Sequence, residues 1–89
     1  MVALDSLGRR GALRVLWELR GEPLTFRALQ EASDMNPGSL NTRIKELRTL
    51  RIVDHSDGGY HLTPQGRSLM DALQPLQTWA EHWARDVDL

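Results

Sequence analysis

Between Asn36 and Arg51 the chain gathers Ser39, Asn41, Thr42, Arg43, Lys45, Arg48 and Arg51, with Glu46 as the lone acid, so this stretch carries +3. The chemistry such groups support is recognition rather than catalysis. An amide such as Asn41 matches the donor and acceptor of an adenine edge, and an ammonium such as Lys45 matches guanine. Ser39 or Thr42 can address either base, and guanidinium groups at Arg43, Arg48 and Arg51 suit phosphates, with Arg27 a possible helper. Gly38 and Ser39 would let the backbone approach a phosphate. Taken alone, a polar helix face with a few arginines is usually just solvated surface, so its meaning depends on the elements around it.

Other chemistries find less support. His55, His61 and His82 are too dispersed for shared metal ligation, so no metal and no cofactor are expected. Ser6, Ser33, Ser56 and Ser68 have no base held near them by local spacing, and no enzyme is expected. Gly8 to Gly11 lacks the preceding strand and the Gly-Lys-Ser/Thr ending of a phosphate loop. Trp17, Trp79 and Trp83 fall at helical spacings where aromatics serve core or subunit contact more often than a ligand pocket. With no cysteine, thiol chemistry is excluded.

The elements that must position these groups follow from periodicity and caps. A first helix is expected over Leu7 to Arg20, with Leu13, Leu16 and the Arg20 stem inward beside Ala12, Val15 and Leu19. Pro23 ends it. Thr25 should cap a second helix, Phe26 to Ala32, that buries Phe26 and Leu29. Asn36-Pro37 marks the start of a third helix reaching about Leu50, with Leu40, Ile44 and Leu47 on its core stripe. Gly38, Asn41, Thr42, Lys45 and Thr49 then face outward. Asp57-Gly58-Gly59 signals a hairpin over Ile52 to Leu62, with positive φ expected at both central residues. With Asp57-Gly58 central, Val53 opposes Leu62 and His55 opposes Tyr60, leaving His55 half-buried and His61 turned towards solvent or phosphate. Thr63-Pro64 opens a last helix running to about Asp86, with a kink near Ala72 or a break expected from Pro75. Its Leu69, Leu73, Leu76, Ala80, Trp83 and Val87, flanked by Trp79, form a seam too long for so small a core to cover, so a second copy of the chain is the expected partner.

At 89 residues the chain is one domain, residues 1–89, with its core at 7–70 and a dimerisation helix at 64–86. No apolar run suits a membrane span and no signal peptide is visible, so a cytoplasmic location is expected. Net charge is −1, but it divides as +3 over residues 1–53, −1 over 54–70 and −3 over 71–89, so a polyanion would meet the first half. The order of elements predicts a mainly α fold with a small β-hairpin, a winged helix-turn-helix. Double-stranded DNA is the expected partner, bound by a sequence-specific homodimer on a pseudo-palindromic operator. The competing expectation is a winged-helix protein-interaction module that has lost DNA binding, motivated by the overall charge and a hairpin without Lys or Arg. Nothing in the sequence specifies a small-molecule effector.

Leu13 to Trp83 resembles HxlR-type winged-helix transcriptional regulators, relatives of the MarR group. The matching residues are Val15-Leu16-Trp17-Glu18-Leu19, Phe26 with Leu29, Asn36 to Leu47, and Tyr60-His61-Leu62-Thr63-Pro64-Gln65-Gly66-Arg67-Ser68-Leu69, followed by Trp79. The resemblance implies a dimeric operator-binding regulator whose first and last helices form the subunit interface. This chain departs from the family pattern in four places. Gly8-Arg9-Arg10-Gly11 replaces a Gly-Gly-Lys-Trp-like segment, the cysteine often found before the first helix is missing, and Gly38 stands where a base is common. Arg51 stands where glycine is common. The wing is also shorter than usual and carries no base.

Overall fold

The computed structural model describes residues 11–87. It has the expected order of elements: α1 (Ala12–Glu18), α2 (Phe26–Ser33), α3 (Pro37–Thr49), β1 (Val53–Ser56), β2 (Gly59–Leu62) and α4 (Pro64–Asp86). Residues 7–10 of the expected first helix lie outside the described residues.

Thr25, Asn36 and Thr63 each satisfy free amides at the start of a helix. Thr25 accepts from the Ala28 amide at 3.1 Å, and Asn36 accepts from those of Gly38 at 2.8 Å and Ser39 at 3.4 Å. Thr63 accepts from Gly66 at 3.0 Å. Exposed amides at a helix start have no partner within the helix, so these caps fix the starts of α2, α3 and α4 locally. Pro37 and Pro64 occupy first-turn positions where a missing N–H costs nothing.

The core joins Val15, Leu16 and Leu19 of the α1 region to Leu29, to the Leu40, Ile44 and Leu47 stripe, and to Ile52, Val53 and Leu62. Leu13 is corrected: it is 51% exposed, because α1 buries its Ala12, Val15, Leu16 and Leu19 side.

The end of α3 sets the course of the wing. The Arg51 amide donates to the Arg48 carbonyl and the Ile52 amide to that of Leu47, both at 2.9 Å, while Arg51 takes φ 59. This paired bonding is a Schellman motif, which requires a left-handed residue at the position Arg51 fills. Ile52 and Leu47, joined by the outer of the two bonds, are both buried.

The hairpin has the expected register, Val53↔Leu62, Asp54↔His61, His55↔Tyr60 and Ser56↔Gly59. The turn differs from the expected form: positive φ falls at Gly59 (φ 110) and not at Asp57 or Gly58. Gly59 lies against Leu24, which the sequence did not mark as a strand. Leu24 and Tyr60 exchange amide–carbonyl bonds of 2.9 and 2.7 Å, forming a one-residue third strand. A Cβ on Gly59 would stand 2.5 Å from the Leu24 carbonyl oxygen, so the close approach needs glycine. His55 is exposed, a second correction, although its ring still meets Tyr60 with centroids 4.6 Å apart.

α4 runs unbroken through Pro75, so the expected break is absent. Its first turn is anchored by Thr63, whose hydroxyl also meets the carbonyls of Arg51 and Ile52, and by Gly66, which passes directly beneath the Ile52 carbonyl. Leu69 and Met70 pack on the core. Beyond them the helix projects, leaving Leu76, Trp79, Trp83 and Val87 between 45 and 60% exposed.

Candidate nucleic-acid interface

With Leu40, Ile44 and Leu47 buried, the helical period turns Gly38, Ser39, Asn41, Thr42, Lys45 and Arg48 outward. Gly38, Ser39, Asn41, Thr42, Lys45 and Arg48 are all exposed. The Schellman end places Arg51, also exposed, just past the last turn. α2 and the turn at Asp34, itself left-handed with φ 56, lead into α3, and the wing follows it.

Individual groups are more constrained than their types suggest. The Thr42 hydroxyl donates to the Gly38 carbonyl at 3.0 Å. What it offers outward is therefore a methyl group and acceptor lone pairs, a match for thymine methyl or an exocyclic base amine. The Thr49 hydroxyl is spent in the same way on Lys45, at 2.9 Å. The amides of Gly38 and Ser39 are both taken by Asn36, which corrects the expectation of free backbone donors for a phosphate there.

Arg43 is also corrected. Its side chain is 14% exposed and pairs with Glu46 at 3.5 Å, on the flank where α3 meets the start of α1. Burial of that flank withdraws Arg43 from the outer face. Arg27 pairs with Glu31 at 3.6 Å, and both side chains are largely exposed, an arrangement that holds neither group firmly.

Towards its C-terminus the polar face opens into a cleft between α3, the wing root and the start of α4. Lys45, Arg48, Arg51, Asp54, Thr63 and Gln65 line it, bringing three cations together with one acid. Asp54 stands 3.8 Å from Arg48. Sequence reasoning missed Asp54 and Gln65. The Thr-Pro-Gln-Gly order marks Gln65 as a first-turn residue, but no local signal brings Asp54 to Arg48.

The seam on α4 is divided. Leu69 packs on its own core, which corrects its place in a free interface. Leu73 is half-buried, while Leu76, Trp79, Ala80 and Trp83 are exposed or nearly so along the projecting end. Trp79 and Trp83 stack, with centroids 6.1 Å apart and planes 10° from parallel. Leu13, Trp17, Met70, Leu73, Leu76 and Ala80 line a groove between α1 and α4, so the misplaced Leu13 joins this apolar side. Among the described residues no cluster of three His, Cys, Asp or Glu is placed to hold a metal, and no helix is long and apolar enough to cross a membrane.

Residues 3–73 match the family model described as "Domain of unknown function (DUF7347)". The chain is 22% identical over 82 residues to an uncharacterized HTH-type transcriptional regulator, MJ0925, of Methanocaldococcus jannaschii, covering 86% of this chain and 77% of that one. Among solved structures, the crystal structure of quinone-bound YodB from B. subtilis superposes with a TM-score of 0.83 at 30% identity, covering 90% of this chain and 92% of that one. The architecture is a winged helix.

Proposed function

The chain belongs to the DUF7347 family and is a helix-turn-helix regulator of transcription, a non-enzymatic class; from that premise we propose that it is an HxlR-type homodimer that binds a pseudo-palindromic operator in the cytoplasm. The observation that carries this reading is the outward face of α3. Six neighbouring exposed positions present an amide, hydroxyls and cations on a helix whose opposite stripe is fully buried.

An α-helix fits the major groove of B-DNA, where base edges display a distinct donor and acceptor pattern. Asn41, Thr42, Lys45 and Ser39 meet base edges, with Gly38 allowing close approach. Arg48 and Arg51 meet phosphates from the cleft. Two copies joined along α4 place their α3 helices in successive major grooves, about 34 to 36 Å apart.

The test is selection of bound sequences from a random duplex pool, followed by a salt titration. With about six phosphates neutralised per dimer, log affinity should fall against log salt with a slope near −5, from roughly −0.9 per phosphate. A slope near zero rejects the assignment. The wing's two acids without a Lys or Arg favour the second reading, a protein-interaction module. No mobility shift at micromolar protein in low salt would decide for that module.

A further inference from the structure

We propose that Thr42 is a specificity-determining residue that reads the C5-methyl group of a thymine, so that the operator carries a thymine at a fixed place in each half-site. This deepens the DNA-binding reading above and rests on it.

Thr42 sits on the midline of the outward face. At about 100° per residue, the buried Leu40, Ile44 and Leu47 point to one side of α3. Thr42 lies almost directly opposite them, in line with Gly38, Lys45 and Thr49, with Ser39 and Asn41 to either side. A helix seated by this face in a major groove therefore brings Thr42 to the base edges ahead of its flanking neighbours. Thr49 shares the midline but lies two turns further on, at the end of the helix beside the cleft. In helix-turn-helix docking the N-terminal part of the recognition helix meets the bases, which selects Thr42 over Thr49.

The Thr42 hydroxyl is already committed. It donates to the Gly38 carbonyl at 3.0 Å, so it has no hydrogen to give to guanine O6 or N7, adenine N7 or thymine O4. The same bond draws the oxygen back against the preceding turn. The other branch of the β-carbon, the methyl group, is then the one left to face a base. Among the base edges of the major groove, an apolar group has one apolar partner, the thymine methyl.

Gly38 supplies the room for that contact. A helical side chain leans towards the N-terminus and covers the turn before its own Cα, which for Thr42 is the turn that contains Gly38. Beyond its chain neighbours and the helix backbone, a Cβ on Gly38 would come within 4 Å of the Asn36 side-chain oxygen alone, at 3.2 Å. Glycine thus leaves a recess beside Thr42 that a methyl group can occupy, and Gly38 and Thr42 are both exposed to whatever approaches α3.

The test uses a duplex selected from a random pool, with each thymine replaced in turn by deoxyuridine. That change removes the C5-methyl group and keeps every hydrogen-bonding group. Anisotropy should show one position in each half-site where replacement weakens wild-type binding about fourfold, the worth of one methyl group taken out of water. Thr42→Ser keeps the hydroxyl and removes the methyl, and should bind the thymine and uracil duplexes alike at that position. Thr42→Val keeps a methyl and removes the hydroxyl, and should retain the preference. Cytosine placed there should gain about fourfold on 5-methylation with wild type and nothing with Thr42→Ser. A bound duplex indifferent to every uracil, or a preference that survives in Thr42→Ser, overturns the proposal. So does a preference lost in Thr42→Val, which would assign the hydroxyl oxygen to a base amine. Each of these outcomes leaves DNA binding standing. If instead no duplex of the pool binds at micromolar protein in low salt, the underlying reading fails and this proposal falls with it.

Discussion

Arg51 is under two opposed demands. Its backbone sits at φ 59, where a side chain costs about 1 to 2 kcal/mol relative to right-handed geometry and glycine costs little. Its guanidinium joins Lys45 and Arg48 at the cleft. Arg51→Gly tests both demands, because it relieves the strain and removes the charge together. We expect the variant to gain about 0.5 to 1 kcal/mol in urea unfolding, net of glycine's greater chain entropy. Its DNA affinity should fall, with the salt slope flattened by about 0.9 for each phosphate that is no longer neutralised. A variant that is less stable would show that the side chain supports the fold. The same logic distinguishes Lys45 from Arg48. Lys45→Ala should relax preference at one base position, and Arg48→Ala should weaken all sequences alike, as read by competition against single-base variants of the selected site.

The elements were legible wherever their cause is local. Thr25, Asn36 and Thr63 announce helix starts because a cap acts within three residues, and the hairpin register follows from one turn and the alternation of Val53, Leu62 and Tyr60. What the sequence concealed depends on neighbours distant along the chain. Leu24 pairs with Tyr60 across the fold, Arg43 falls on the buried flank only because α1 lies there, and Asp54 meets Arg48 through the geometry of the Schellman end. The outward face of α3 could be read because the core stripe defines its opposite, whereas the amides at its start could not be assigned until Asn36 was seen to use them. Thr63 serves three elements at once, capping α4 while its hydroxyl meets the carbonyls of Arg51 and Ile52. Thr63→Ala should therefore cost about 1 to 2 kcal/mol in urea unfolding, at the upper end for a cap, and Thr63→Ser should restore most of it. A loss below a few tenths of a kcal/mol would mean that the α3–wing–α4 junction is held by packing alone.

For the whole molecule, the apolar side of α1 and α4 is left uncovered among the described residues. Leu13, Leu76, Trp79 and Trp83 are each 45 to 60% exposed, and together with Val87 they are the large hydrophobic residues left to solvent among the described residues. The projecting end of α4 helps give the molecule a long dimension of 42 Å against 26 and 23 Å, so half a helix extends beyond any core of its own. A second copy is the proposed cover, and the same contact would fix the spacing of the two α3 helices. Leu76→Glu places a charge on that face, where the side chain is already 60% exposed in the single chain. The substitution should leave the fold and its helical content intact while separating the subunits, since it removes little burial within one protomer. Sedimentation should then change from a dimer for the wild type to a species of 10.1 kDa for the variant. The salt slope of DNA binding should fall to about half, because each protomer then neutralises its phosphates alone. A wild-type monomer at high concentration would remove the paired-groove geometry while leaving the chemistry of one α3 helix as it stands. Subunits that separate with no change in slope would show that the apolar side serves assembly without setting how DNA is held.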